Sequence, residues 1–330
     1  MQKLILTSAI ILSFISCNFE NEKKLLPSSN GHFNELMVIV NYQEWEGKLG
    51  MELKKVIASN VIGLPQPEPQ FSITQIPHKG FDGFLKHNRN ILTVERSDKA
   101  SFEIAYDSFA KPQVFARIMG PDQQSIIQLL QENEEELVSI FKEHDFKMVE
   151  KRFEKNAHKP KTIGFFKENR LSYVIPREYN IVDDQTDFVW FRKRVEHYGH
   201  NVNGSLNVVS YTIPLDMPFE LVKDSIVSIR DAIGKKHIPG ANDGSYLITE
   251  AAYTPHIFDT NLDSKNAYKV NGKWEVYNDF MAGPFISYFV HDQKNNRLVV
   301  VEGIVYAPII KKRDFVFELE SIIRSLKIDA

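Results

Sequence analysis

Residues 285–306, FISYFVHDQKNNRLVVVEGIVY, decide the fold class of this sequence. Two apolar runs, residues 285–291 and 297–306, lie on either side of a polar turn at residues 294–296. Aromatic and β-branched side chains dominate both runs, which is typical of strands. We therefore predict an antiparallel hairpin here and a large β-component in the second half of the chain.

The rest of the second half adds another hairpin and two helices. Strands are predicted at residues 188–191 and 206–213, joined by an Asn-Gly turn. Apolar side chains at helical spacing predict helices over residues 218–233 and 315–326. The stretch between them, residues 238–283, is predicted to be rich in loops.

The first half predicts a second sheet with helices. A continuous apolar run over residues 35–42 is typical of a buried central strand. Residues 45–59 and 120–156 have apolar side chains at helical spacing. The proline-rich connector, residues 64–69, cannot be helical. Further strands are predicted at residues 71–76, 90–95, 102–106 and 113–119.

Strand and helix patterns follow each other in a similar order in both halves. A change of composition at residues 158–161 predicts a boundary between an N-terminal α+β domain, residues 32–157, and a C-terminal α+β domain, residues 162–330. The predicted fold class is α+β, with two related-looking sheet-plus-helix layers. No residue-level repeat supports a duplication.

The beginning of the sequence predicts export and lipidation. Lys3 precedes an apolar run, residues 4–14, that is too short to span a bilayer, and Cys17 follows a small residue. We interpret residues 1–16 as a lipoprotein signal peptide and Cys17 as the lipid acceptor. Residues 17–31 are then a flexible tether. The alternative is an ordinary signal peptide with a chance cysteine.

The composition is that of a folded protein. The 330 residues are 43% hydrophobic and carry a net charge of −3, without the concentrated positive charge that nucleic-acid binding requires. The predicted location is lipid-anchored, in the outer membrane, on its periplasmic or surface face. The predicted partners are the membrane, through lipidated Cys17, and an envelope protein or a small molecule. No nucleic acid and no cofactor is expected.

The best candidate for a binding site is the glycine-containing stretch after the helix at residues 218–233. Gly240 and Gly244 let the backbone approach a ligand, and polar neighbours offer hydrogen bonds. The alternative is a structural turn held by the same side chains. We expect the candidate residues to lie close together. They are Arg230, Asp231, Gly240, Asp243, Gly244, Ser245, Tyr246, Met281, Gly283 and Phe285.

The sequence contains no phosphate loop, nucleophile elbow or zinc-protease helix. His197 and His200 have ligand-like spacing only on a helix, whereas a strand end is expected there. Asp183, Asp184 and Asp187 lack the glycine and the closing glutamate of a calcium loop. No metal site is therefore predicted.

The favoured function is a lipid-anchored binding or assembly module of the cell envelope, of unknown molecular activity. Two further interpretations stay open as alternatives. One is an envelope hydrolase or other enzyme with a polar site around Arg230, Asp231 and Asp243, with His237 nearby. The other is an anion contact at the basic residues 311–313, because cations at a helix start are unfavourable to the helix dipole. A solvated surface is the alternative interpretation of these basic residues.

The second half resembles the Mog1/PsbP-like fold. The resemblance rests on residues 174–176 (VIP), residues 179–181 (YNI), the two hairpins, the helix from Pro218 and the last helix, and it covers residues 171–328. An insertion is expected near residues 246–282. The resemblance implies a fold and no activity, because this fold hosts unrelated functions.

The whole mature chain is similar to the lipoproteins of domain-of-unknown-function family 4837, found in Bacteroidetes. This resemblance implies an envelope lipoprotein and attaches no activity to it. The residues that carry it are Asn34-Glu35-Leu36, the connector at residues 64–69, Arg230-Asp231, Ile238-Pro239-Gly240, residues 243–246, Met281-Ala282-Gly283-Pro284-Phe285, Glu302-Gly303 and Tyr306-Ala307-Pro308.

Overall fold

The structure, a computed structural model, describes residues 25–196 and 203–329. It contains two large sheets with helices packed on them, which confirms the α+β class. The predicted signal peptide, Cys17, His197 and His200 lie outside the described residues. Within the described ranges, no helix has the length and apolar character needed to cross a bilayer.

The first sheet has five strands. They are β1 (Glu35–Ile39), β2 (Ser72–Ile76), β3 (Asn90–Arg96), β4 (Ser101–Tyr106) and β5 (Val114–Gly120). Their order in the sheet is β2-β1-β3-β5-β4. Strands β1, β2, β3 and β5 are parallel, and β4 forms an antiparallel edge.

After Glu35, strand β1 is apolar because both of its faces are covered. Leu36 and Val38 belong to one hydrophobic cluster, and Met37 and Ile39 belong to a second cluster on the opposite face. Alternating side chains of one strand point to opposite faces of a sheet, so a strand covered on both sides needs apolar residues at every position. The predicted central strand is confirmed.

The described part of the first half has four α-helices, two more than predicted, because each predicted helix is divided in two. The predicted helix over residues 120–156 is wrong as one element, because Asn133 interrupts it. The Asn133 side chain donates to the carbonyl of Leu129 (2.7 Å) and ends the first of the two helices. That helix begins at a capping box between Asp122 and Ser125. The helices are α1 (Tyr42–Glu46), α2 (Lys48–Ile57), α3 (Gln123–Glu132) and α4 (Glu134–Glu154).

The second half is built around an eight-stranded antiparallel sheet. Its elements are α5 (Gly164–Asn169), β6 (Leu171–Ser172), β7 (Asn180–Asp184), β8 (Phe188–Glu196), β9 (Asn203–Pro214), α6 (Val222–His237), β10 (Tyr246–Thr249), β11 (His256–Leu262), β12 (Lys265–Tyr277), β13 (Ala282–Asp292), β14 (Arg297–Tyr306), α7 (Arg313–Arg324) and β15 (Lys327–Ile328). The sheet order is β10-β12-β13-β14-β9-β8-β7, and β11 pairs with the first part of β12. Strands β6 and β15 pair separately.

Strands β13 and β14 lie in the middle of this sheet, as the hairpin prediction requires. Phe285 and Phe289 belong to the cluster that includes residues of α6, whereas Ile286 and Val290 belong to the cluster that includes residues of α7. The two helices therefore cover opposite faces of the sheet. The predicted hairpin is confirmed, and its apolar character follows from burial on both faces.

The prediction that residues 238–283 are rich in loops is wrong. This stretch contains β10, β11 and the long strand β12. Asp263 and Ser264 both have positive φ (50° and 58°) and form the two-residue turn between β11 and β12. The lysines of β12 are half-buried and lie among buried residues, and the asparagine and glycine at its centre interrupt the apolar pattern of the strand.

Helix α4 contributes to the cores of both halves. Leu137 and Phe141 pack with the first sheet, and Phe146, Val149 and Phe153 pack with the second. All strands of the first sheet precede residue 121, and all strands of the eight-stranded sheet follow residue 179. The independence of the two halves as domains stays a prediction.

The chain is attached to the first half before the predicted end of the tether. The N–H of Lys111 donates to the carbonyl of Pro27 (2.8 Å), and the N–H of Ser29 donates to the carbonyl of Lys111 (3.1 Å). The N–H of Asn30 donates to the carbonyl of His87 (2.8 Å). Residues 27–30 of the predicted tether are therefore hydrogen-bonded to the first half.

Candidate functional site

Arg230, the first predicted site residue, is buried in an ion pair. It lies on α6, is 2% exposed, and donates to Glu302 on β14 through Nε (3.0 Å) and Nη2 (2.8 Å). Its guanidinium also lies 3.8 Å from the centre of the Phe285 ring. Ser287 donates a further hydrogen bond to Glu302 (2.7 Å). The carboxylate and the guanidinium satisfy each other, so this pair holds α6 on the sheet.

Asp231 joins α6 to the edge strand β10. Its Oδ1 accepts from the N–H of Thr249 (2.7 Å) and from the Thr249 hydroxyl (2.8 Å). The Thr249 hydroxyl in turn accepts from Nη1 of Arg230 (3.0 Å). Arg230 and Asp231 therefore form one network with a structural role, which favours the structural alternative for these two residues.

The predicted glycine-containing stretch forms a tight turn. The N–H of Gly240 donates to the carbonyl of Ser245 (2.9 Å), and the Ser245 hydroxyl donates to the carbonyl of Asn242 (2.6 Å). Gly244 has a φ of +74°, a conformation that favours glycine. Asp243 and Gly244 are exposed at the tip of the turn, away from the Arg230 network.

The remaining predicted residues lie on the strands next to this turn. Tyr246 stacks on Tyr277 at a ring distance of 5.1 Å. Met281 lies immediately before β13, and its carbonyl accepts from the N–H of Val276 (2.9 Å). A Cβ on Gly283 would lie 2.1 Å from the carbonyl oxygen of Val305, so only glycine fits this position.

An apolar cavity of about 280 Å³ lies beside the C-terminal end of α6. The structure describes all ten predicted binding residues. Two of them, Gly240 and Met281, line this cavity. The other lining residues, which include the aromatic walls, were not among the predicted site residues. The main lining side chains are Trp190, Trp274, Tyr306, Ile304, Leu247 and Met281. We refer to this space as the apolar cavity.

The two tryptophans of the apolar cavity have their polar atoms satisfied within the protein. Nε1 of Trp190 donates to Oδ1 of Asn207 (3.0 Å), and Nε1 of Trp274 donates to the carbonyl of Val305 (3.1 Å). What they present to the cavity is therefore aromatic surface. Trp190 and Ile304 lie on the sheet face that α6 covers, and the cavity begins where that helix ends, at Ile238.

The rim of the apolar cavity carries positive charge. Arg192 donates through Nε to Asn207 (3.0 Å), and its guanidinium lies 4.4 Å from the Trp190 ring. Burial lowers the pKa of Arg192, and Arg194 lowers it further. Within the described part of the chain, Arg192 contacts no carboxylate. A groove that includes Arg192, Arg194 and Tyr306 continues from the cavity.

Residue types at period two offered a signal for this site. Trp190 and Arg192 are two positions apart on β8, and so are Ile304 and Tyr306 on β14, which places each pair on one face. An arginine next to a tryptophan at that spacing was available in the sequence. The sequence did not show that β12 lies close to β14, because this arrangement depends on strands in the region that was predicted to be loops.

The geometry gives no support to the hydrolase alternative. Arg230 and Asp231 are committed to the α6 network, and Asp243 lies on an exposed turn. His237 stacks on Phe188 at 4.1 Å, and burial lowers its pKa. None of these four groups lines the apolar cavity.

The acidic residues considered for a metal site have structural roles. Asp184 accepts from the N–H groups of Gly164 (2.7 Å) and Phe165 (2.8 Å) at the start of α5. Asp183 accepts from the Gln185 side chain (2.7 Å). Residues 25–196 and 203–329 contain no group of three side chains positioned to hold a metal ion.

The second half of the chain matches the profile of a known family. The profile of a domain of unknown function, DUF4837, matches residues 161–325. The chain belongs to the DUF4837 family. The profile of a second domain of unknown function, DUF8532, matches residues 29–154. The search of curated proteins gives no match.

Two solved structures show distant similarity to this chain. One is LpqN, involved in cell envelope biogenesis of Mycobacterium tuberculosis, with 9% identity over 48% of this chain and 82% of that chain, and a TM-score of 0.28. The other is PA94, a protein of unknown function from Pseudomonas aeruginosa, with 13% identity over 42% of this chain and 83% of that chain, and a TM-score of 0.23. At these scores neither similarity carries an argument about function.

Proposed function

We propose that this protein is a lipid-anchored binding protein of the bacterial cell envelope, with Cys17 as the lipid acceptor. The signal-like residues 1–16 and the lone cysteine support this proposal, and membership of DUF4837 agrees with a protein of no recognised activity. A source in Bacteroidetes and a position in the outer membrane belong to the same proposal. The membrane holds the chain, and the apolar cavity supplies the binding function.

The ligand that fits the apolar cavity best is an amphipathic acid. Its apolar group would contact Trp190, Trp274 and Ile304, and its acidic group would contact Arg192 at the rim. Ligand pockets typically measure about 300–1,000 Å³ and combine apolar walls with a few polar groups, and this cavity, at about 280 Å³, lies just below that range. The single observation that carries the proposal is an aromatic cavity with an arginine that has no carboxylate partner in the described residues.

Tryptophan fluorescence tests this proposal directly. The chain has 3 tryptophans, of which Trp190 and Trp274 line the apolar cavity and Trp45 packs with the first sheet. In a Trp45→Phe variant, all indole fluorescence reports on the cavity. Titration with dodecanoate should change this fluorescence and reach saturation.

The charge requirement provides the control. Arg192→Gln should weaken dodecanoate binding about tenfold, the equivalent of roughly 1.4 kcal/mol, because one charge-assisted contact is lost. Neutral dodecanol should bind the two proteins equally. Arg117→Gln, on β5 of the first sheet, is the matched control and should leave dodecanoate binding unchanged. Absence of a saturable signal with both ligands would refute binding in the apolar cavity.

A further inference from the structure

A second cavity, of about 340 Å³, lies on the other side of the eight-stranded sheet. Helices α4 and α7 form two of its walls, and the connector before β2 and the β11–β12 hairpin form the others. It therefore lies between the two halves of the chain. We call it the interhelix cleft, and it shares no lining residue with the apolar cavity.

The interhelix cleft has an excess of positive charge. Its lining contains the four cations Lys142, Lys269, Arg313 and Arg324, and the two carboxylates Glu143 and Glu320. Both carboxylates are already paired, since Lys269 donates to Glu320 and Arg324 donates to Glu143 (2.7 Å). Within each pair, the positive and the negative charge neutralise each other. Lys142 and Arg313 therefore account for the excess positive charge of the lining.

Lys142 has no carboxylate within ion-pair distance among the described residues. Its ammonium donates to Oδ1 of Asn34 (2.6 Å) and to the carbonyl of Gln70 (2.8 Å). The rings of Phe71 and Phe317 lie 4.6 and 5.3 Å from it. An ammonium has three N–H donors, so one remains for a group in the cleft.

Arg313 points to the same part of the connector. Its Nη1 donates to the carbonyl of Pro69 (3.2 Å), next to the carbonyl of Gln70 that Lys142 contacts. Its charge is shared with Asp314, which is exposed and lies outside the cleft lining. The two cations therefore converge on one end of the cleft.

The lowered pKa of Lys142 agrees with a buried ammonium group that has no carboxylate partner among the described residues. Burial lowers this pKa to about 7, and Arg313 contributes to the decrease. Asp145 on α4, together with Asp314 and Glu320 on α7, acts in the opposite direction and does not compensate. A bound anion would favour the charged amine and raise its pKa again.

We propose that the interhelix cleft binds a small organic anion, whose carboxylate or phosphate contacts Lys142 and Arg313. The apolar part of this ligand lies against Phe146 and Val316, which line the same cleft. The site also gives a role to the basic residues 311–313, since Arg313 is the member of that run that faces the cleft, whereas Lys312 donates to the carbonyl of Ile310 (2.8 Å).

Pyridoxal 5′-phosphate is a suitable probe because it carries both a phosphate and an aldehyde. With the phosphate of the probe on Arg313, the uncharged amine of Lys142 attacks the aldehyde carbon, water leaves, and an imine forms. A pKa of about 7 makes this uncharged amine available at neutral pH. Borohydride then adds hydride to the imine carbon and fixes the label as a secondary amine. At an equimolar amount of probe and neutral pH, we expect peptide mapping to find most of the label on Lys142.

Three comparisons separate a built site from general lysine reactivity. Lys142→Met should remove most of the label, whereas Lys147→Met, at an exposed position of the same helix, should not. Excess inorganic phosphate should lower labelling of Lys142 at least fivefold in the unmodified protein. Arg313→Gln, checked for folding by circular dichroism, should lower it several-fold.

The phosphate competition keeps the test decisive if a variant does not fold. Label spread over surface lysines, or labelling of Lys142 that inorganic phosphate does not reduce, would overturn the proposal. Neither result depends on the lipid anchor or on the apolar cavity, so this site and the proposed binding function are tested separately.

Discussion

At the scale of single residues, buried charge is the main feature of this protein. Arg230 and Glu302 are each 2% exposed and pair with each other between α6 and β14. Removing one partner of a buried ion pair leaves the other charge without compensation, and the typical cost is about 3–5 kcal/mol. The role of the pair is therefore structural, because it fixes the position of α6 and of the apolar cavity beside the end of that helix.

The first prediction concerns Glu302. Glu302→Gln should lower the free energy of unfolding by about 3 kcal/mol or more, because Arg230 stays buried without its counter-charge. Urea denaturation measures this change as a lower midpoint. Glu168→Gln, at an exposed position of α5, is the control and should change the midpoint little. An equal effect of both substitutions would contradict the structural role of the pair.

The second prediction concerns His144, whose Nδ1 donates to Oδ1 of Asn90 (3.3 Å). Burial, followed by the nearby Arg89, lowers the pKa of His144 from 6.5 to about 4. His144 therefore binds a proton more readily in the unfolded chain than in the folded one. Its contribution to the free energy of unfolding is fully present above pH 6.5 and is lost as the pH falls towards 4.

We expect His144→Gln to reduce this loss of stability between pH 6.5 and pH 4 by up to about 2 kcal/mol, with an allowance for partial solvent exposure. Thermal melting at a series of pH values measures the difference. His32, which lies outside the core, provides the control variant His32→Gln. A pH profile that His144→Gln leaves unchanged would show that His144 does not set the acid sensitivity.

At the scale of secondary-structure elements, the contact between α6 and β10 positions the apolar cavity. Gly234 lets the helix approach so closely that a Cβ there would lie 2.1 Å from the carbonyl oxygen of Leu247. Asp231 adds two hydrogen bonds to Thr249 on the same strand. Leu247 itself lines the cavity, so a shift of this contact would change the cavity wall.

The third prediction concerns this contact. Asp231→Ala should destabilise the protein by about 1–3 kcal/mol, because the N–H and the hydroxyl of Thr249 lose their acceptor. Hydrogen exchange should become faster in β10 and at the end of α6, and remain unchanged in the first sheet. Asp243→Ala, on the exposed turn, should have neither effect. Equal stability of the two variants would remove the structural interpretation of Asp231.

Some elements were predictable from sequence and others were not, for physical reasons. The β13–β14 hairpin and β1 are buried on both faces, so their apolar runs were unambiguous. Strand β12 was missed because Asn271 and Gly272 interrupt its pattern, although the turn at Asp263 and Ser264 requires a hairpin. The pattern of a sequence identifies a strand when its buried positions carry apolar residues. It fails for β12, where neighbouring strands bury an asparagine and a glycine.

The candidate site was predictable only in part. Gly240 and Met281, which the sequence singles out through the turns beside them, both line the apolar cavity, and their binding role stays a prediction. Glu302, the partner of Arg230, lies seventy-two positions away in sequence, and no local pattern connects them. Pairing across a sheet is set by topology, so the structural role of Arg230 could not be separated from a binding role before the fold was known.

At the scale of the whole molecule, helix α4 connects the two halves. Phe146 stacks on Phe317 of α7 at 4.3 Å, and Val149 and Phe153 complete the core of the second half. A fragment that begins at residue 162 lacks these side chains. The division of the chain at residues 158–161 therefore separates the strands but leaves part of the second core behind.

The fourth prediction concerns that fragment. Residues 162–330 alone should bind the dye ANS and melt without a sharp transition, because the surface beneath α4 is exposed. A fragment of residues 134–330, which retains α4, should bind less dye and melt more cooperatively. Cooperative melting of the shorter fragment at the temperature of the full chain would show that the second half is an independent domain.

The fifth prediction concerns the anchor. Cys17→Ala should abolish incorporation of a labelled lipid precursor and release the protein from the detergent phase, because Cys17 is the only cysteine in the chain. Ser29→Ala is a control that should keep both properties. Unchanged partitioning of the Cys17→Ala protein would refute lipid anchoring and would leave the apolar cavity unaffected.

The most direct test of binding in the apolar cavity is photocrosslinking with a fatty acid that carries a diazirine on its chain. We expect crosslinks in peptides that contain Trp190, Trp274 or Met281, and we expect excess dodecanoate to suppress them. The Arg192→Gln variant should crosslink less at the same probe concentration. Crosslinks confined to other surfaces, or crosslinks in the cavity that dodecanoate does not reduce, would contradict the proposed binding function.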